Sequence, residues 1–356
     1  MRRLIAGDSL SERLSTPNFE RRLAQTINGK SVGNSVFAHK VIPSMQAAVY
    51  VAGEERSRRI SSTIQRQTAI FLIFFMLYYM TGGGGIMKKK LGIALGAGGA
   101  RGIAHIGFLK ALEEEHIRPD FISGSSMGSI IGACYAKGMS ADQMRETVEQ
   151  LSTFDIVDIG ILTLSKLGLM RWTKVRKMMT GLLQDCDFSD LKIPFSCVAV
   201  DLISGKLKVF NEGKVIDAIL ASSSMPTVFR PVEMNDMLLV DGGVLCRVPV
   251  RQVKDMGADV VVAVDVLGKL SQVDKLPNVI TLITRVYDIM DTVRTQDQKR
   301  KNRKIVDLWL EPEMGDVSQY KIKYHVSAYD AGYKLGKENA KNIRKLLRGE
   351  ELPRQR

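Results

Sequence analysis

Cysteine is scarce in this 356-residue chain: Cys134, Cys186, Cys197 and Cys246 are the whole set, and no two of them stand in C-x-x-C spacing. That excludes a disulfide-dense scaffold and a cysteine-built zinc site. Four histidines leave no material for a histidine-rich metal centre. Aromatic residues are 6% of the chain, and its basic residues are scattered, so a nucleic-acid partner is not expected. The 31 glycines follow no G-X-Y period, which excludes a collagen-like chain. No internal repeat is visible, and no uninterrupted apolar run reaches the roughly 20 residues of a membrane-spanning helix.

What is present is an ordinary globular balance, 45% apolar and 25% charged, with a formal charge of +13 that favours anionic partners. Residues 1–86 differ from the rest. They hold eleven Lys/Arg and five Asp/Glu, and their first 66 residues show no sustained period, which predicts a poorly structured extension. Within them Ala69–Met80, AIFLIFFMLYYM, is followed by Thr81 and four glycines. A single-pass anchor over 69–86 is one reading. The competing reading takes 1–86 as a mis-assigned upstream extension, because Met87 leads at once into KKKLGIALGAGGARG. The expected location is the cytoplasm, at or near a membrane surface.

From residue 89 short apolar runs alternate with amphipathic stretches. Leu91–Leu95, Phe121–Ser123, Phe195–Ile203, Lys206–Phe210, Leu238–Val240, Asp259–Val266 and Ile305–Leu310 read as strands. Arg101–Glu115, Met127–Ala136, Val215–Ser222, Asn278–Lys301 and Ala328–Leu347 read as helices. This alternation predicts an α/β protein, a three-layer α/β/α sandwich on a mostly parallel sheet, with residues 87–270 as the working domain and 271–356 completing it. Over 153–183 basic and apolar residues interleave. That suits either peripheral contact with an anionic membrane or a helix pair packed on the core with a solvated basic face.

Three motifs carry chemistry. Gly124-Ser125-Ser126-Met127-Gly128 is a G-x-S-x-G between a strand and a small-residue helix, the setting of a nucleophile elbow; in isolation it reads as well as a tight βα turn. Gly96–Gly102, GAGGARG, follows the first strand. It lacks the sixth-position glycine of a dinucleotide fingerprint and the Gly-Lys-Ser/Thr of a Walker loop, which leaves a backbone nest for a small oxyanion or a plain close-packing turn. Asp241-Gly242-Gly243 closes another apolar run, either as an acid in the crevice of a parallel sheet or as an ordinary D-G turn. His105, within the first helix, reads as a packing residue. A serine paired directly with Asp241 needs no histidine.

Together GGARGIAH (98–105), GSSMG, ASSSMPTVF (221–229) and DGG resemble the patatin-like phospholipases, above all their short bacterial members, over residues 89–270. The resemblance implies an enzyme that hydrolyses lipid acyl esters without metal or cofactor. Ser126 is then the nucleophile, in an elbow shaped by Gly124 and Gly128, and Asp241 the base, followed by Gly242 and Gly243. The oxyanion hole comes from Gly98, Gly99, Ala100, Arg101 and Gly102, with Arg101 shaping the loop. Two departures stand out. Ala97 replaces the first glycine of the family's pattern and needs a negative φ. Arg247 stands where asparagine is frequent, either to favour an anionic head group or as a surface residue. Acyl-CoA thioesterase or acyltransferase chemistry at the same serine, and a non-catalytic lipid-binding regulator, are the alternatives. The oligomeric state is not legible.

Overall fold

Strand β1 (Leu91–Leu95) shows why these apolar runs are continuous. Leu91, Ile93 and Leu95 enter one core and Ala94 another, and β7 (Val260–Val264) divides the same way, with Val261 and Ala263 in the second core. Side chains alternate across a strand, so a sheet covered on both faces is apolar at every position. The computed structural model describes residues 89–150 and 171–352, apart from 227, 269, 271, 274, 276–278, 316 and 318–324. The expectations for the extension, for the apolar run 69–80, for a start at Met87 and for 151–170 lie outside the described residues.

The other strands are β2 (Phe121–Ser125), β3 (Phe195–Asp201), β4 (Lys206–Phe210), β5 (Val232–Met234), β6 (Met237–Asp241) and β8 (Leu308–Leu310). The sheet order is β5-β6-β3-β2-β1-β7-β8, with β4 on β3. The pairs β1–β2, β1–β7, β2–β3 and β7–β8 are parallel; β3–β4, β3–β6 and β5–β6 are antiparallel. The chain reverses its march across the sheet at β1, so the crevice beyond the C-terminal ends of β1 and β7 is the switch point where α/β sheets take ligands.

The helices are α1 (Ala104–Glu114), α2 (Met127–Lys137), α3 (Ala141–Gln150), α4 (Thr173–Leu183), α5 (Val215–Ser222), α6 (Val250–Asp255), α7 (Val279–Lys301) and α8 (His325–Leu347). The first core is capped by α1, α2, α4, α5 and α8, and the second by α6, which completes the expected three layers. Helices α1 and α8 cross in close contact. A Cβ on Gly332 would lie 1.8 Å from the Ala104 carbonyl oxygen, and one on Gly107 2.0 Å from that of Tyr329.

Helices α3 and α6 and strand β5 are not expected from the sequence pattern, each being short or having few buried residues. The expected helix from Arg101 starts instead as a 3-10 turn, Gly99–Ile103, because Gly99 sits at a φ of 52°. In α4, Val175, Met179 and Leu183 recur every fourth residue and are buried, while Lys177 on the other side is exposed. This described part of the 153–183 segment thus packs on the core with a solvated basic face. Among the described residues no helix is long and apolar enough to cross a membrane.

Candidate active site

The register of β3 brings two distant loops together. Strand β2 pairs with β3 as far as Ser125↔Val198, and β6 pairs with β3 from Ala199↔Asp241 onward. Both occupy the edge of β3 opposite β4, which overlaps each of them in register. Strands β2 and β6 therefore meet end to end, and the residues at the junction are Ser126 and Asp241. The Ser126 hydroxyl donates to Asp241 Oδ2 at 2.6 Å.

The local sequence dictates each side of this contact. Ser126 has φ 54° and ψ −127°, a region that costs a non-glycine residue ~1–3 kcal/mol. It turns β2 abruptly into α2 and leaves the hydroxyl at the N-terminal, partially positive end of that helix. Only glycine fits on either side. A Cβ at Gly124 would fall 2.4 Å from the Gly128 carbonyl oxygen, and one at Gly128 2.3 Å from that of Leu95. Asp241 caps the 3-10 turn Gly242–Val244, its Oδ1 accepting the Gly243 N–H at 2.7 Å.

Ser222 and Ser224 brace both partners. Ser222 Oγ accepts the Ser126 N–H at 3.1 Å, and the Ser224 carbonyl accepts the Asp241 N–H at 3.0 Å. The Trp172 indole donates to Ser224 Oγ at 2.9 Å and stacks on Phe229 at 4.0 Å. In the sequence Ser222 is one serine among several in residues 221–229, and a serine at a helix end carries no sign of what it faces.

The glycine loop lies against the elbow. Gly96 N–H donates to the Val264 carbonyl at 2.9 Å, and Ala97 N–H to that of Arg247 at 3.0 Å. Ala97 is not among the residues of positive φ, so its methyl group is tolerated. The Arg101 N–H is held by the Gly98 carbonyl at 3.1 Å, and its guanidinium reaches the carbonyls of Val317 and Leu267. Among the described residues no backbone acceptor meets the N–H groups of Gly98, Gly99 or Ala100. Gly102 stays small beneath Met127, whose Cγ would lie 2.4 Å from an added Cβ.

Three titratable groups surround the loop. Asp241 is raised to about 6, chiefly by burial, against the hydrogen bonds from Ser126 and Gly243 and the charge of Arg247. His105 is fully buried, bonded through Nε2 to the Gly96 carbonyl at 2.8 Å, and lowered to about 4 by burial. It supports the loop and makes no bond to Ser126. Arg247 overturns the expectation of a surface residue: it is 4% exposed, Nη1 lies 2.8 Å from Asp291 and Nε 3.9 Å from Asp265. Its charge is met by these two carboxylates. Among the described residues no three His, Cys, Asp or Glu side chains converge as a metal site requires.

Known proteins resemble this chain over the same region. The family model for patatin-like phospholipases matches residues 93–254. An uncharacterized NTE family protein of Mycobacterium tuberculosis is 35% identical over 179 residues, which are 50% of this chain and 49% of that protein. Human patatin-like phospholipase domain-containing protein 6 is 31% identical over 181 residues, 49% of this chain and 13% of that one. The chain thus spans about half the length, or less, of these curated relatives. Among solved structures, VipD from Legionella pneumophila shares the fold at a TM-score of 0.51 with 14% identity, covering 72% of this chain and 67% of that one.

Proposed function

From a chain that belongs to the patatin-like phospholipase family, we propose a serine hydrolase of lipid acyl esters that works through a Ser126–Asp241 dyad. The observation that carries this reading is the 2.6 Å hydrogen bond from the Ser126 hydroxyl to a buried carboxylate, with no imidazole in between. Asp241 takes the hydroxyl proton as Oγ attacks the ester carbonyl carbon. The carbonyl oxygen becomes an oxyanion facing the N–H groups of Gly98, Gly99 and Ala100, each such donor being worth ~3 kcal/mol in the transition state. Collapse expels the alcohol, which takes the proton from Asp241, and leaves an acyl-serine. Water, deprotonated by Asp241, then releases the fatty acid and restores the serine. Residues 87–270 supply this machinery, and 271–356 close the domain through α8 against α1.

A carboxylate base acts only when ionised, and burial raises Asp241 to about 6. Turnover of a short-chain nitrophenyl ester is therefore expected to rise with pH through about 6 and to level above it. Ser126→Ala and Asp241→Asn are each expected to lower it by ~10⁴-fold while the melting curve stays cooperative. Full activity in either variant overturns the dyad. An unreactive Ser126 toward a fluorophosphonate points to the non-catalytic lipid binder. Faster product formation with a competing alcohol or an acyl-CoA donor points to the acyltransferase or thioesterase.

A further inference from the structure

Helix α7 is built inside out. Its exposed large side chains are Val279, Leu282, Val286, Ile289, Met290 and Val293. At 100° per residue they fall within an arc of about 100° that runs four turns along one side of the helix. The side turned to the protein carries the half-buried Ile283 and Tyr287 in the first half of the helix and is polar from Asp291 onward. Asp291 pairs with Arg247 at 2.8 Å. The Gln298 amide donates to the Val248 carbonyl at 2.5 Å and accepts its N–H at 3.3 Å. Thr295 is buried, and Asn302, just past the helix end, is buried and accepts from Arg251 at 3.1 Å. An amphipathic helix on a water-soluble core normally turns its apolar stripe inward, and a contiguous apolar face left outside marks an interaction surface.

The charges beside the stripe select its partner. On the helical wheel Arg285 and Arg294 border it on either side, and no Asp or Glu lies within it from Val279 to Val293. Asp288 and Asp291 fall on the far side. Beyond the stripe come Lys299, Arg300, Lys301, Arg303 and Lys304, with Asp297 paired to Arg300 at 2.7 Å. Apolar residues flanked by arginines that can keep their heads in a polar layer are the pattern of a helix lying in a membrane interface. A second copy of the chain fits less well. The stripe covers about two heptads, short of the three or four that a stable helix pair uses, and it would set basic flanks against basic flanks. We propose that the outer face of α7 docks on an anionic lipid surface. The inner face of the same helix grips residues 247–248, which follow the Asp-Gly-Gly turn, so the docking face and the candidate site belong to one rigid unit. The proposal stands on the helix and is separable from the hydrolase reading.

The test places an environment-sensitive nitrobenzoxadiazole label on the full-length Val286→Cys protein, with the unsubstituted protein labelled in parallel to subtract reaction at the native cysteines. The label is expected to shift to the blue on vesicles of 30% phosphatidylglycerol in phosphatidylcholine, and far less on phosphatidylcholine alone. In the double variant Val286→Glu/Val293→Glu, flotation with the mixed vesicles is expected to fall at least tenfold, whereas Ile203→Glu, at a residue 72% exposed elsewhere, keeps it. Emission that ignores vesicles overturns the proposal, as does a shift that grows with protein concentration in their absence, the mark of a second copy. Hydrolysis of a soluble ester, measured on the same samples, reports separately on Ser126: its loss with the blue shift intact sinks the hydrolase reading and leaves the docking face standing.

Discussion

Helices α7 and α8 are both 23 residues long, and they solve opposite problems. Helix α8 buries Ala328, Gly332, Gly336, Ala340 and Ile343 against the first core, and sets Lys337 and Arg344 outside on Glu115 at 2.8 and 2.7 Å. Helix α7 buries Thr295 and the ion pair of Asp291, and leaves its valines in the open. Close packing of small residues holds one helix; hydrogen bonds and charge hold the other. The lesson is that an amphipathic period establishes a helix but does not say which side faces in. A helix beside a polar site can be anchored by its polar face.

The contrast can be broken most forcefully at the α1–α8 crossing. Gly332→Val drives a side chain into the Ala104 carbonyl and is expected to cost ~4 kcal/mol or more, read from the urea midpoint. A wild-type midpoint would mean that the crossing is looser than drawn. On the α7 side, Arg247→Met strands the buried Asp265 and the half-buried Asp291 and is expected to cost ~3 kcal/mol. It also removes a positive charge that lowers Asp241, so the acid limb of the pH–rate profile should move above about 6. A limb that stays in place would detach Arg247 from the dyad's electrostatics.

The smallest effect has a sign of its own. Asp241 ionises near 3.8 when unfolded and at about 6 when folded. Between those values the native state holds the extra proton, so its contribution to stability is full below pH 4 and is lost as pH rises through 6. Asp241→Asn escapes that penalty. The variant is expected to exceed the parent by roughly 2–3 kcal/mol at pH 8 and to match it near pH 4, in paired melts that cancel the opposite influence of His105. Equal stability at both pH values would show that burial costs Asp241 little.

Legibility varied with range. Strands β1 and β4 and helix α5 are readable to the residue: β1 as an apolar run covered on both faces, β4 as a strand that alternates lysine with apolar residues, and α5 as an apolar run between polar neighbours. Short elements such as β5 and α6 carried too few residues to declare themselves. In the candidate site the serine, the acid and the glycine loop all lay in short motifs. Ser222, which takes the Ser126 N–H, and the Arg247–Asp291 pair did not, since each joins residues dozens of positions apart.

The order of strands and helices, the tight glycines around Ser126 and the identity of the groups able to react were determined by the sequence alone, through steric and periodic constraints acting over a few residues. Only the tertiary structure decided that Ser126 and Asp241 meet, because β2 and β6 end against each other on one edge of β3. It alone decided that Asp241 titrates near 6, that Arg247 is buried and that α7 turns its apolar side outward. Burial and long-range pairing are properties of neighbours in space, and no span of adjacent residues encodes them.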